Sequence, residues 1–192
     1  MSKVLILYGT RYGTTKGISD EIEKIIQQKG ITTKSYNLEE YNIKEIPPVQ
    51  EYDGIIIGSG IKIKRWTKAV KKFVNKRKSE LRKMQSTLGF YVCCGVAAKK
   101  NDISKAINDY ITSKLQKLGI QPALIDAFGG CYDLTEGSPI TGMTRKIVIA
   151  IMKDEEGIEN PEGKKYDYRD WEQIKDFANK FGELLKKYSI FS

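Results

Sequence analysis

The chain has 192 residues, 40% hydrophobic and 30% charged, a balance that fits one globular core of ~100–200 residues and argues against disorder. It contains no histidine, which removes Ser-His-Asp and Cys-His triads, histidine-liganded zinc and histidine phosphotransfer, and its three cysteines are too few for a disulfide scaffold. With 33 Lys and Arg against 24 Asp and Glu, the formal charge of +9 draws anionic partners, although the interspersed acids also fit an ordinary solvated surface.

Val4 to Tyr8 is an almost unbroken apolar run, which predicts a strand buried on both faces. Gly9 to Thr15 turns to hydroxyls and glycines. From Gly17 the spacing of Ile18, Ile22, Ile25 and Ile26 predicts a helix that stops at Lys29-Gly30. Thr32 to Asn37 and Gly54 to Gly58 read as the second and third strands. Trp66, Val70, Phe73, Val74, Arg77 and Leu81 then fall at helical intervals. Leu88 to Val92 is the fourth strand, running into Cys93-Cys94-Gly95. A helix carrying Ile103, Ile107, Tyr110, Ile111, Leu115 and Leu118 closes at Gly119, and Ala123 to Phe128 is the fifth strand, ending at Gly129-Gly130.

About forty residues, from Cys131 to Arg169, follow before the last helix, longer than usual connections. Within them Met143, Ile147, Val148, Ile151 and Met152 have amphipathic spacing, whereas Asp154 to Lys165 is polar, contains Pro161 and reads as a loop. Asp170 is placed to cap the last helix, whose expected face is Trp171, Ile174, Phe177, Ala178, Phe181, Leu184, Leu185 and Tyr188. Strands alternating with helices predict an α/β fold: a doubly wound, five-stranded parallel sheet of order 2-1-3-4-5, with ligand at the switch point between strands one and three. The longest later apolar run, Ile147 to Met152, is six residues, far below the ~20 that span a bilayer. No targeting segment is expected, and the cysteine usage suits a reducing cytoplasm.

Thr10-Arg11-Tyr12-Gly13-Thr14-Thr15 lies between the first strand and the first helix. A phosphate monoester needs several donors converging on its oxygens. Backbone N–H groups at a helix N-terminus supply them, Gly13 lets the chain approach closely, and the threonines add hydroxyls. Neither a P-loop nor a dinucleotide fingerprint is present. A hydroxyl-rich cap serving only the helix is the alternative.

This loop resembles the flavodoxin phosphate loop, Thr/Ser-x-Thr-Gly-x-Thr, with Tyr12 in place of a hydroxyl residue. Over residues 3 to 188 the chain more closely resembles the flavodoxin-like menaquinone-dependent protoporphyrinogen IX dehydrogenases of bacteria. The matching stretches are Val4 to Arg11, Tyr52 to Ile61, and Tyr168-Arg169-Asp170-Trp171-Glu172-Gln173, together with the long insertion. The resemblance implies a single flavodoxin-like domain over 1–192 with an insertion at about 131–169. It also implies non-covalent FMN, and electrons passing from a porphyrinogen or another donor to a quinone or redox partner.

With the phosphate at Thr10 to Thr15, the flavin ring is expected against Ser59-Gly60-Ile61-Lys62 and Cys93-Cys94-Gly95-Val96, with Gly129, Gly130 and Tyr132 at its edge. Trp66 and Tyr91 are further aromatic candidates, although Trp66 also falls on the apolar stripe of its helix. Lys62 either favours a reduced, anionic ring or is an ordinary solvated lysine. Cys93-Cys94 reads as small apolar lining rather than a redox pair. No catalytic side chain and no metal ligand set stand out, as expected where a flavin carries the chemistry.

Basic residues concentrate from Lys62 to Lys83, which favours an anionic porphyrinogen, acidic lipid or an acidic protein over nucleic acid, since no recognition motif accompanies the charge. The segment Thr141 to Met152, with Arg145 and Lys146, either covers a sheet edge or makes peripheral contact at an inner membrane face. A general flavodoxin-type electron carrier is the alternative function. A phosphorylated receiver domain is disfavoured, because Gly9-Thr10 and Gly58-Ser59 stand where it needs acids.

Overall fold

Residues in a strand alternate between its two faces, so a strand that is apolar throughout must be covered on both sides. β1 (Lys3–Gly9) does this at the centre of the sheet: Val4 and Ile6 face one layer, Leu5 and Leu7 the other, and all four are wholly buried. The computed structural model describes residues 2–154 and 156–189. β1 pairs in parallel with β2 (Thr32–Asn37) and β3 (Gly54–Gly60), followed outward by β4 (Leu88–Cys93) and β5 (Leu124–Phe128). The order is β2-β1-β3-β4-β5, as the alternating pattern predicts.

One layer consists of α1 (Thr14–Gln28) and α7 (Trp171–Ser189), which set Ile18, Ile22 and Ile26 beside Ile174, Phe177 and Phe181 on the Val4–Ile6 face. The opposite layer carries α2 (Lys68–Lys76), α3 (Lys78–Lys83), α4 (Ile103–Ile107) and α5 (Ser113–Gln116). Each large apolar side chain removed from water here contributes roughly 1.5–3 kcal/mol.

Several elements differ from the sequence reading. α1 starts three residues before Gly17, because its first turn is hydroxyl-rich and carries no apolar periodicity. The stretch from Trp66 to Leu81 is two helices broken at Arg77, and Thr67 caps the first by accepting a bond from the Val70 N–H at 3.3 Å. Between α4 and α5 the helix widens into a π turn, Asn108–Thr112, where the Tyr110 carbonyl accepts from Trp66 Nε1 at 2.7 Å. Asp170 does cap α7, accepting from the Glu172 and Gln173 N–H groups at 3.1 Å. Trp171 and Tyr188 are not on its buried face: both are exposed, and Trp171 instead stacks under the Arg169 guanidinium at 4.4 Å.

The long connection after β5 has a structure of its own. Short strands β6 (Cys131–Asp133) and β7 (Lys165–Asp167) form an antiparallel ribbon at its two ends, too short to leave a period-two signal. Between them lies α6 (Gly142–Asp154), where the apolar spacing predicts it. Leu134, Ile140, Val148 and Met152 make a separate small core with Tyr166 and Tyr168. Arg145 is not a free surface cation, since its guanidinium donates to the Leu134 carbonyl and pairs with Glu162.

Candidate functional site

Parallel strands bring their C-terminal ends to one crest, so the loops after β1, β3 and β4 meet there. Thr10 Oγ1 accepts from the Gly13 N–H at 3.0 Å and holds the first of these loops in a tight turn. Gly13 has φ +84°, a left-handed conformation that side chains with a Cβ resist. α1 begins at the next residue. Among the described residues no side chain caps its first turn, and that turn contains no acid. Its leading N–H groups and the positive end of the helix are therefore left for an anion.

Beside this turn is a cleft of about 220 Å³. Thr10, Tyr12, Thr14 and Thr15 form one wall, Gly60, Ile61 and Lys62 the second, and Cys93, Cys94 and Gly95 the third. Gly130 and Tyr132 close its far side, while Ile140, Thr144, Ile147 and Ile151 roof it from the insertion. A methyl group on Gly95 would sit 2.2 Å from the Tyr132 hydroxyl, so any side chain there would have to push this ring aside. A second, polar recess of about 140 Å³ adjoins the α1 turn, with Gly13 and Thr14 on one side and Asp133, Lys165 and Arg169 on the other.

Polar contacts fasten these walls together. Arg11 donates from one guanidinium nitrogen to the Gly60 carbonyl and from another to the Trp66 carbonyl, each at 2.9 Å, and burial lowers its pKa from the usual arginine value. Lys62 Nζ donates to the Tyr12 hydroxyl at 2.9 Å and to Thr144 Oγ1 at 2.8 Å, joining the phosphate-type loop, the β3 loop and α6. The bond from Lys62, reinforced by Thr144, holds the Tyr12 phenol below its ordinary pKa. Lys62 is thus half-buried and bonded rather than freely solvated. Burial pushes the Cys93 thiol well above its ordinary value and the Cys94 thiol up to about 11, so both stay neutral near pH 7 and line the cleft as small apolar groups.

Most of the expected site residues converge here: Thr10, Arg11, Tyr12, Thr14, Thr15, Gly60, Ile61, Lys62, Cys93, Cys94, Gly95, Gly130 and Tyr132 all line the one cleft. Gly13 lines the polar recess, and Val96 lines a neighbouring cleft beyond the β4 loop. Ser59 and Gly129 stand behind the walls. Ser59 Oγ accepts from the Thr67 N–H at 3.1 Å, and Gly129 is packed so closely on Tyr168 that a Cβ would lie 2.0 Å from its carbonyl oxygen. Trp66 and Tyr91 do not reach the cleft. The indole lies in the core beside Phe90, and Tyr91 is buried against Phe128 and Phe177 with its hydroxyl 2.6 Å from Ser19 Oγ.

Thr144, Ile147, Val148 and Ile151 are lining residues that the sequence reading did not assign to the site. Their i, i+3, i+4, i+7 spacing marks one helix face, but spacing alone does not say what that face covers. Arg169 and Lys165 were likewise unassigned. Arg169 reaches α1, where a Cβ on Gly17 would lie 2.8 Å from its Nη1, and it pairs with Asp167. The arrangement can take an anion at the α1 turn and a flat apolar body between the β3 and β4 loops under α6.

A family model described as a flavodoxin domain matches residues 5–162. Over 98% of its length the chain is 28% identical to the protoporphyrinogen IX dehydrogenase (quinone) of Escherichia coli, across 99% of that protein. Among solved structures, a flavodoxin from the domain Archaea aligns with 96% of this chain and 99% of its own at TM-score 0.55 and 14% identity. The rubredoxin oxygen:oxidoreductase of Desulfovibrio gigas aligns with 97% of this chain at TM-score 0.59 and 14% identity, and this chain spans 37% of that longer protein. These structural likenesses show a shared fold. Among the described residues no helix is long and apolar enough to cross a membrane, and no group of His, Cys, Asp and Glu is placed to hold a metal ion.

Proposed function

This chain belongs to the flavodoxin-domain family, whose cofactor is FMN, and on that premise we propose that it is an FMN-dependent oxidoreductase of the protoporphyrinogen dehydrogenase type, passing electrons from an organic donor to a quinone. Near full-length similarity to the quinone-linked E. coli enzyme supports the substrate class. The observation that carries the reading is the roof: α6 sets Thr144, Ile147 and Ile151 over a cleft that begins at an uncapped helix turn. An electron carrier needs only an exposed ring edge, whereas a roofed apolar slot gives an organic substrate a second wall to lie against.

The residues present fit the cofactor. Gly13 keeps the turn open, with no atom within 4 Å of where its Cβ would be, and Thr10, Thr14 and Thr15 bring hydroxyls to the same end. These groups would hold the phosphate, with Lys165 and Arg169 across the polar recess as its countercharges. Gly60, Ile61, Cys94 and Gly95 would hold the ring between two backbone loops, and Tyr132 would border its edge. FMN, when bound, supplies the transfer of electrons between donor and quinone.

The chain's own work is to bind, orient and exclude water. Arg11 fixes the spacing of the first two loops through the Gly60 and Trp66 carbonyls. Lys62 holds α6 down through Thr144 and keeps a positive charge at the cleft wall, which favours an electron-rich partner there. The neutral, buried Cys93 and Cys94 keep thiolates away from the reacting region. A quinone dissolved in lipid would be met at a bilayer face. Supporting this are the exposed side chains of Ile63, Met143 and Ile147 beside the basic stretch from Lys62 onward.

The test is anaerobic incubation of the FMN-loaded protein with protoporphyrinogen IX and a menaquinone analogue. Porphyrin fluorescence and quinol are expected to accumulate together in a fixed ratio. Flavin bleaching by a donor, without any quinone turnover, would overturn the dehydrogenase and leave a flavodoxin-type electron carrier.

A further inference from the structure

The turn that closes one side of the cleft is built against backbone preference. Lys62 and Arg65 exchange both backbone hydrogen bonds at 3.1 Å, which leaves Ile63 and Lys64 as the two central residues. Both are left-handed, with φ +48° and +56°. Glycine and asparagine usually fill such positions, and a β-branched residue there is a steric outlier of the kind that persists at functional sites. One consequence is that Ile63 stands 76% exposed at the junction of two clefts, which it helps to line on both sides. Lys64 lines only the second.

That second cleft is the larger, about 440 Å³. Ile61, Cys94, Gly95, Tyr132 and Ile151 form a wall common to both, so whatever fills one lies next to the other. Away from this wall the second cleft runs past Val96, Ala98 and Met152 to Tyr110, which belongs to the π turn of Asn108–Thr112. π turns often mark functional sites. The cleft is therefore two-sided, apolar and aromatic along the shared wall and more polar than apolar over the rest of its exposed lining, where three lysines stand. Lys99 is paired with Glu156 at 3.6 Å, while Lys64 and Lys105 have no ion-pair partner among the described residues. Asp102 is the other acid on the lining.

We propose that this second cleft binds the organic electron donor as an apolar body bearing carboxylates, received by Lys64 and Lys105, which presupposes the quinone-linked oxidoreductase proposed above. Each ammonium group attracts a carboxylate set beside it, and because both lysines are exposed that attraction is screened by salt. A tetrapyrrole with two propionates has this chemistry, and the shared wall sets its body against the FMN cleft. Neutral quinones gain nothing from the lysines, so the cleft distinguishes donor from acceptor by charge.

Equilibrium titration of the FMN-loaded protein with mesoporphyrin IX and with its dimethyl ester, in the same dilute detergent, tests this. The parent protein is expected to bind the diacid about tenfold or more tighter than the ester, with a preference that shrinks as salt rises. The double variant Lys64→Glu/Lys105→Glu should lose about tenfold or more for the diacid and stay within about twofold for the ester. Both lysines are exposed, and unaltered flavin content confirms that the variant folds. Equal binding of diacid and ester by the parent, or no loss in the variant, overturns the site. Porphyrinogen turnover with an unchanged KM in the double variant also overturns it and leaves the oxidoreductase standing. Charge-dependent diacid binding without any turnover supports the cleft and overturns the oxidoreductase.

Discussion

The central sheet and the segment from β6 to β7 are held together by different physics. In the sheet, β1, β3 and β4 bury nearly every side chain, and the Phe128, Phe177 and Tyr91 rings interlock with centroids 5.4 to 6.0 Å apart. The insertion has only the small core of Leu134, Ile140, Val148 and Met152 among the described residues and relies on polar fastenings, such as Arg145 to the Leu134 carbonyl and Lys62 to Thr144. The cleft lies where the two meet. A rigid sheet presents the loops that would hold a cofactor, and a lightly packed cover supplies the wall a substrate would touch. Such covers belong to the less stable part of a protein's structure, which allows ligands in and out.

Truncation in the two cores gives the widest separation. Phe177→Ala should lower global stability in urea by about 3–5 kcal/mol, because a large void opens beneath the sheet. Met152→Ala should instead raise hydrogen exchange over residues 131–168 while moving the main transition by less than about 1 kcal/mol. If both variants shift one common transition alike, the sheet and the insertion unfold as a unit and the contrast fails.

Gly13 tests the seam between them. Gly13→Glu places a carboxylate and a Cβ in a left-handed turn beside the uncapped end of α1. FMN affinity should fall by about 100-fold or more, roughly 2.7 kcal/mol, read by flavin fluorescence titration, with far-ultraviolet circular dichroism unchanged. Undiminished flavin content would detach this loop from the site.

Acid should separate the regions by the smallest margin. The Arg169 guanidinium holds the Asp167 carboxyl below the usual range, the Gln173 backbone N–H does so for Asp170, and the Thr135 hydroxyl for Asp133. Depressed carboxylates stabilise the fold above their unfolded value of ~3.9, and this contribution disappears as pH falls through their folded values. Asp126 in β5 has the opposite sign: burial raises it, so its contribution is complete below ~3.9 and is lost as pH rises through its folded value. Between pH 5 and pH 3, hydrogen exchange should therefore increase around the ribbon and α7 start before it increases in β5. Simultaneous loosening would show that these carboxylates do not govern the difference.

Apolar runs such as Val4 to Leu7 and Ile55 to Ile57 determine the sheet locally, because an all-apolar strand has only a doubly covered place to go. The same logic reads the Ile18–Ile22–Ile26 stripe, the Asp170 cap and the glycine-bearing turn at Thr10 to Thr15 directly from the residues. What α6 covers, why Trp66 and Tyr91 turn into the core, and how Lys62 comes to bond Tyr12 and Thr144 were decided only in three dimensions. Periodicity reports that a face is apolar and never which partner it meets. Residues 12, 62 and 144 come together because three separate connections end at one crest, a closeness that tertiary packing alone supplies.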